Sequence, residues 1–220
     1  MSLKPKKSLG QNFLLDKNII NKIINTAEIS SDDVVLEIGP GTGNLTKFII
    51  SNKPKKIYVI EKDGKLADEL EKQYFDKINI IRKDILKISY AFYSRKKFLI
   101  LGNLPYNIST KILSNWCLNK KLNVSKMILM FQKEVAERIL AEVNTREYSR
   151  ISILSKWKFD IKKITDVKPN SFFPKPKVYS TVLEFKPKKK FHEIENPKNL
   201  EKVTKVFFSQ RRKMIKKPIS

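Results

Sequence analysis

The sequence predicts an α/β protein built on a mostly parallel sheet with helices on both faces. Short, β-rich apolar runs recur between Val34 and Phe131, helical patterns fall between them, and a glycine turn follows the first run. Strands joined through helices must cross over, which makes neighbouring strands parallel and covers both sheet faces.

Taken in order, 18–29 carries Ile19, Ile20, Ile23, Ile24 and Ala27 at helical spacing, with Asp16 placed as a cap. Val34–Ile38 is the first strand of the sheet, and a helix around Leu45–Ile50 follows its glycine turn. Lys56–Ile60 is the next strand, succeeded by a polar helix through Leu66, Leu70 and Tyr74. Ile78–Ile81, Phe98–Leu101 and Ser125–Phe131 continue the strands, the last running into a helix over 132–143. Ser180–Phe185 alternates and is β-branched, which predicts a hairpin-type return to the sheet edge. Lys186–Lys190 reads as a linker, and 197 to about 217 as one or two basic helices. The expected organisation is a domain over 1–187 with an N-terminal arm, and a basic helical segment over 188–220.

Composition narrows the function classes. The 220 residues suffice for one domain with a small appendage. No apolar run reaches the roughly 18 residues of a membrane span, and the basic N-terminus lacks an apolar signal core, so a cytoplasmic location is expected. There are 46 basic residues against 22 acidic, a net charge of +24 that points to a polyanionic partner, nucleic acid first. With one cysteine and one histidine, an internal disulfide is excluded and no zinc-ligand spacing exists, so no metal is expected. Cys117 reads as a small buried hydrophobe and His192 as a solvated side chain.

The sharpest local signal is Glu37-Ile-Gly39-Pro-Gly41-Thr-Gly43, between a strand and a helix. Glycines there allow a tight turn and close approach of the backbone to a ligand. The spacing is Gly-x-Gly-x-Gly rather than the dinucleotide pattern, and the acid before it disfavours phosphate and favours a cationic sulfonium. Glu61, at the next strand end, is placed to accept ribose hydroxyls, and Asp84, after the third strand, an adenine amino group beside Ile85. The fourth strand ends in Asn103-Leu-Pro-Tyr106. An aromatic amine is a poor nucleophile because its lone pair is delocalised. The Asn103 carbonyl and a nearby main-chain carbonyl can accept its two N–H bonds and localise that pair, and Tyr106 can stack on the base. Such chemistry rests on positioning and electrostatics, without a covalent intermediate. A second aromatic wall could come from Phe172 or Phe173, in a proline-stiffened loop.

Together with Leu9-Gly-Gln-Asn-Phe-Leu14, Asn103-Leu-Pro-Tyr-Asn-Ile-Ser-Thr110, Phe131-Gln-Lys-Glu-Val135, the Phe172-x-Pro-x-Pro-Lys-Val178 loop and Phe208-Ser-Gln-Arg-Arg-Lys213, these residues resemble the KsgA/Erm family of ribosomal RNA adenine N6-dimethyltransferases, over nearly the whole chain and most like its KsgA branch. The resemblance implies a Rossmann-like S-adenosylmethionine methyltransferase sheet. It implies that Asn12, Leu14, Gly39, Glu61, Asp84 and Asn103 contact S-adenosylmethionine, and that Tyr106 and Phe172 flank the target adenine beside Asn103. It further implies a monomeric enzyme whose substrate is 16S rRNA in the small ribosomal subunit (30S precursor), at two adjacent adenosines in a hairpin loop near the 3′ end. This chain has Ser149 where the family commonly has glycine, so a left-handed backbone is not expected there. Family members continue for several helices past Gln-Arg-Arg-Lys, so a short C-terminal subdomain is expected here. Two enzymatic alternatives stay open, a DNA adenine methylase and a resistance-type 23S rRNA methylase, as does a ribosome-assembly or transcription-associated binder for which methylation is dispensable. RNA contacts are expected from Lys4, Lys6, Lys7, Lys111, Lys175, Lys177, Arg211 and Arg212.

Overall fold

The computed structural model describes residues 5–6 and 9–209. A two-residue strand, β1 (Phe13–Leu14), leads into helix α1 (Lys17–Ala27), capped by the Asp16 carboxylate, which accepts the Asn18 and Ile19 N–H groups. Three strand–helix units follow: β2 (Val34–Ile38) with α2 (Asn44–Ser51), β3 (Lys56–Ile60) with α3 (Gly64–Tyr74), and β4 (Asn79–Ile81) with two short 3-10 turns. Then come β5 (Phe98–Asn103), α4 (Ser109–Leu118), β6 (Val124–Gln132), α5 (Lys133–Leu140), α6 (Arg150–Lys158) and β7 (Phe159–Val167). A second two-residue strand, β8 (Phe172–Phe173), precedes β9 (Ser180–Pro187) and α7 (Pro197–Ser209).

The main sheet has the order β4-β3-β2-β5-β6-β9-β7. Its first five strands are parallel, and β9 is antiparallel to both β6 and β7. The α/β, Rossmann-like fold read from the sequence is the fold observed. Alternation divides the core between the faces. Leu36, Ile38 and Ile100 pack with Leu113, Trp116 and Phe131 on one side. Val35, Leu99 and Leu101 pack with Ile20, Ile24 and Ile49 on the other. Each fully buried side chain of this size contributes about 1.5–3 kcal/mol of transfer free energy. Cys117 is wholly buried, and burial pushes its thiol pKa up to about 12; His192 is exposed.

Several elements differ from expectation. Ser180–Pro187 is not the edge strand: β9 lies between β6 and β7, and β7 forms the edge. The helix after β6 stops at Leu140 rather than Val143, and α6 follows after a turn. Ser149 has an extended backbone (φ −151°) and caps α6, its N–H donating to Ser152 Oγ at 2.9 Å; the position does not use a left-handed conformation. Of the one or two basic C-terminal helices expected, α7 packs on α6 and α4, and 210–220 lie outside the described residues.

Candidate active site

A cleft opens at the carboxyl ends of β2, β3, β4 and β5, the place where α/β sheets bind ligands. The glycine turn forms its floor. Gly39 has φ +64°, and its N–H donates to the Ile60 carbonyl at 3.0 Å. Gly41 has φ +57°, and a Cβ there would stand 2.8 Å from the Phe13 ring. A side chain at that position would therefore collide with the arm as well as strain the backbone.

Three carboxyl groups line the cleft, in different electrostatic states. Glu37 is 1% exposed and accepts a hydrogen bond from Thr46 Oγ1 at 2.7 Å. Burial, reinforced by Glu61, pushes its pKa up to about 8. This modifies the reading of Glu37 as a standing negative charge: desolvation keeps it mostly protonated at neutral pH. Glu61 accepts the Asp63 N–H at 2.8 Å and the Gly41 N–H at 3.4 Å, so it braces the glycine turn, and its pKa is raised by burial. Asp84 accepts the Leu86 N–H at 2.9 Å and pairs with Lys62 at 2.9 Å; that ammonium holds its carboxyl below the usual range.

The N-terminal arm crosses the cleft. Leu9 to Leu14 line it, and three hooks hold them. Lys6 Nζ and Gln11 Nε2 donate to the two oxygens of Asp63, at 2.9 and 3.1 Å. Asn44 Nδ2 donates to the Leu14 carbonyl at 2.9 Å. Asn103 Nδ2 donates to the Asn12 carbonyl at 2.7 Å. The last bond fixes the Asn103 amide at the cleft wall with its nitrogen engaged, and no described residue occupies Asn103 Oδ1. Asn12 itself is 2.7 Å from Asn103 through its main chain, while its side chain donates to Gly10 O at 3.3 Å.

Tyr106 lines the cleft next to Asn103, and its hydroxyl lies 2.5 Å from the buried Ser180 Oγ, which steadies the ring. Phe172, read as the opposing wall, does not line the cleft. It is 4% exposed and packs in the core that contains Leu14 and Val167. The cause is strand alternation: β8 pairs antiparallel with β1, Phe172 opposite Leu14 and Phe173 opposite Phe13. The inward position goes to Phe172, whereas Phe173 is 56% exposed on the side of Phe13. The structure thus brings Asn12, Leu14, Gly39, Glu61, Asp84, Asn103 and Tyr106 to one cleft and leaves Phe172 out. The sequence alone does not reveal Gln11, Asn44 and Asp63 as holds on the arm, although Gln11 lies within Leu9-Gly-Gln-Asn-Phe-Leu14.

Of the expected RNA-contacting cations, Lys111, Lys175 and Lys177 are exposed. Lys6 is committed to Asp63, and Lys4, Lys7, Arg211 and Arg212 lie outside the described residues.

The profile of the ribosomal RNA adenine dimethylase family matches residues 2–220. The chain belongs to this family. A relative from Pelagibacter ubique (strain HTCC1062), named ribosomal RNA small subunit methyltransferase A, is 54% identical over 222 residues, covering 100% of this chain and 84% of its own. A protein of the same name from Wolbachia pipientis subsp. Culex pipiens (strain wPip) is 44% identical, covering 97% and 82%. Among solved structures, a dimethyladenosine transferase from Plasmodium falciparum superposes with TM-score 0.78 at 32% identity, covering 94% of this chain and 74% of that one. The 23S rRNA methyltransferase ErmE superposes with TM-score 0.71 at 26% identity, covering 90% and 79%. Sequence identity is higher to the proteins named for the small subunit than to ErmE.

Proposed function

We propose that this chain dimethylates the N6 amines of two adjacent adenosines in small-subunit (16S) ribosomal RNA, with S-adenosylmethionine as methyl donor. The observation that carries the chemistry is the Asn103 amide: its nitrogen is pinned by Asn12, and its oxygen is free at the cleft wall. The choice of the small subunit rests on the 54% identity to a protein of that name.

The cleft suits the donor. Backbone without side chains at Gly39 and Gly41 leaves room against the floor, and carboxyl groups at three strand ends offer acceptors for hydroxyl and amino groups. Glu61 and Asp84 serve the ribose and adenine ends, with Ile85 against the ring. Asn12 and Leu14 close the arm over them. When bound, S-adenosylmethionine supplies a methyl group activated on a sulfonium.

The protein's own residues then prepare the acceptor. Asn103 Oδ1 accepts one N6–H, and a main-chain carbonyl of the same turn accepts the other. With both N–H bonds engaged before the first transfer, and the one remaining N–H before the second, the amine lone pair withdraws from the ring; each methylation releases one N6 proton to solvent. Tyr106 holds the base by stacking, its hydroxyl tied to Ser180. The arm excludes water from the transfer line, and alignment of the reactants provides much of the rate. The polar acceptor must leave the RNA stack to reach this wall, which favours an unpaired loop.

The test is mass spectrometry of ribosomal RNA after unmodified small subunits are incubated with the protein and S-adenosylmethionine. Dimethyladenosine at two adjacent positions of 16S rRNA is expected. Its absence, with modification of large-subunit RNA or of duplex DNA instead, would overturn the assignment.

A further inference from the structure

The parallel strands have two rims, and the cleft uses only one. At the other, the strand starts are level: Val34 pairs with Lys56 on one side and Phe98 on the other, and Phe98 with Val124. The turns entering β3, β2, β5 and β6 therefore lie side by side, over about 15 Å at the usual strand spacing. Lys53, Lys55 and Lys56 precede or begin β3; Arg95, Lys96 and Lys97 precede β5. All six are exposed, and none forms a salt bridge with a described carboxylate. The turn between them contains Asp32 and Asp33, and the Asp33 carboxylate is engaged by the Ser30 N–H and hydroxyl, each at 2.8 Å.

Two of the cations converge on one aromatic ring instead of an acid. Lys56 and Lys96 Nζ lie 5.3 and 5.2 Å from the centroid of Tyr58, and Lys96 also donates to its hydroxyl at 2.9 Å. A cation–π contact offsets only part of the repulsion between two ammonium groups. Exposed aromatics stand in neighbouring segments: Phe75, 81% exposed, in the turn before β4, the strand beside β3, and Tyr90, 44% exposed, in the 3-10 turn before Arg95. Unneutralised cations with aromatic side chains in the adjoining segments are the surface chemistry of a binder of nucleic-acid backbone and unpaired bases. A lipid surface is less suited, since the rim is made of turns and, among the described residues, presents no amphipathic helix lying along it.

We propose that this amino rim is a second RNA-binding surface, gripping a segment of folded ribosomal RNA distinct from the one that holds the target adenine. The inference rests on the rRNA methyltransferase reading. Strands of five to six residues separate the rims by about 17–20 Å, so one short hairpin loop cannot satisfy both. The partner is an RNA fold large enough to reach around the domain, and the rim adds affinity by multivalency without touching the chemistry.

The experiment compares the full chain with the variant Lys53→Gln, Lys55→Gln, Arg95→Gln, Lys97→Gln, which leaves the two lysines at Tyr58 in place. With unmodified small ribosomal subunits, KM should rise at least roughly tenfold, and the slope of log affinity against log salt should become shallower by about 3 if all four cations meet phosphates. The kcat at saturating subunits and the Kd for S-adenosylmethionine should stay unchanged. An unchanged KM and salt slope would overturn the proposal, and so would an equal loss in kcat or cofactor binding, which would place the effect in the fold. Tighter, rim-dependent binding to phosphatidylserine vesicles than to subunits would also overturn it. Rim-dependent subunit binding by a wild-type chain that fails to methylate would sink the methyltransferase reading while leaving the rim as an RNA surface.

Discussion

Replacing Asn103 by alanine separates chemistry from binding. The amide makes one observed hydrogen bond, Nδ2 to the Asn12 carbonyl at 2.7 Å, part-buried. Losing such a bond costs about 1 kcal/mol. In a domain of this size that lowers Tm by roughly 2–4 °C, and it weakens cofactor binding by no more than about fivefold if the arm loosens. The oxygen of the same amide acts on the amine as charge develops there. Removal of one preorganised polar group of this kind costs about 10²–10³ in kcat. The assay is single-turnover methyl transfer from labelled S-adenosylmethionine to small subunits, with the cofactor saturating, beside calorimetric measurement of its Kd. The expected pattern is a kcat loss of two to three decades against a single-digit change in Kd. A variant whose defect lies wholly in Kd, with kcat retained at saturation, would refute the role given to the Asn103 oxygen.

Glu37 should make the unliganded protein lose stability as pH rises. Its folded pKa of about 8 stands above the ordinary 4.5, so the extra proton affinity supports the fold fully below about pH 4.5 and is lost by about pH 8. Glu37→Gln keeps a partner for Thr46 and removes this dependence; denaturant melts should show the variant gaining on wild type across that window, with a ceiling of about 5 kcal/mol, and parallel curves would contradict the burial argument. Gln11→Ala removes the amide that accepts the Lys6 N–H at 2.7 Å and donates to Asp63 at 3.1 Å. Stopped-flow chase should show cofactor dissociation faster by about fivefold with kcat at saturation preserved, and an unaltered off-rate would deny the arm its closing role. Phe172→Ala should destabilise the fold by about 3–5 kcal/mol as a buried aromatic, whereas Phe173→Ala should leave Tm within a degree or two; thermal melts that rank them the other way would place Phe172 outside the core.

The parts of this protein that were legible in its sequence are those in which chemistry and local structure share a short segment. The turn after β2 is one: glycines, an acid and flanking apolar runs within ten residues announce strand, turn and helix together. Asn103-Leu-Pro-Tyr106 is another. By contrast, β7 went unread because its apolar residues change face along the strand, Phe159 and Ile161 packing in one core and Ile164 and Val167 in the other. A register irregularity between Lys163 and Thr165 inserts one residue and breaks the period of two. The choice between Phe172 and Phe173 was equally hidden, because it depends on pairing with Phe13–Leu14, over 150 residues earlier. The amino rim escaped for a related reason. Lysines 53, 55 and 56 and residues 95–97 look like two ordinary solvated charge runs until the parallel register sets them level.

The arm gives the same lesson a mechanistic form. Asn12 was read as a residue of the arm that covers the cofactor, and its contact with Asn103 is made by its main-chain carbonyl. Substituting the side chain leaves that carbonyl in place. Asn12→Ala should therefore retain most of kcat, losing chiefly the weak turn contact with Gly10 at 3.3 Å. Displacing the arm as a whole is different, because Asn103 then loses the acceptor that orients its amide, and the oxygen is no longer presented in one direction. A chain shortened to begin after residue 12 should lose kcat as well as cofactor affinity, unlike Gln11→Ala, which loosens the arm without removing the acceptor. If the shortened chain kept full kcat at saturating cofactor, the Asn103 amide would be held by something other than the arm, and the link between closing the cleft and arming the acceptor would fail.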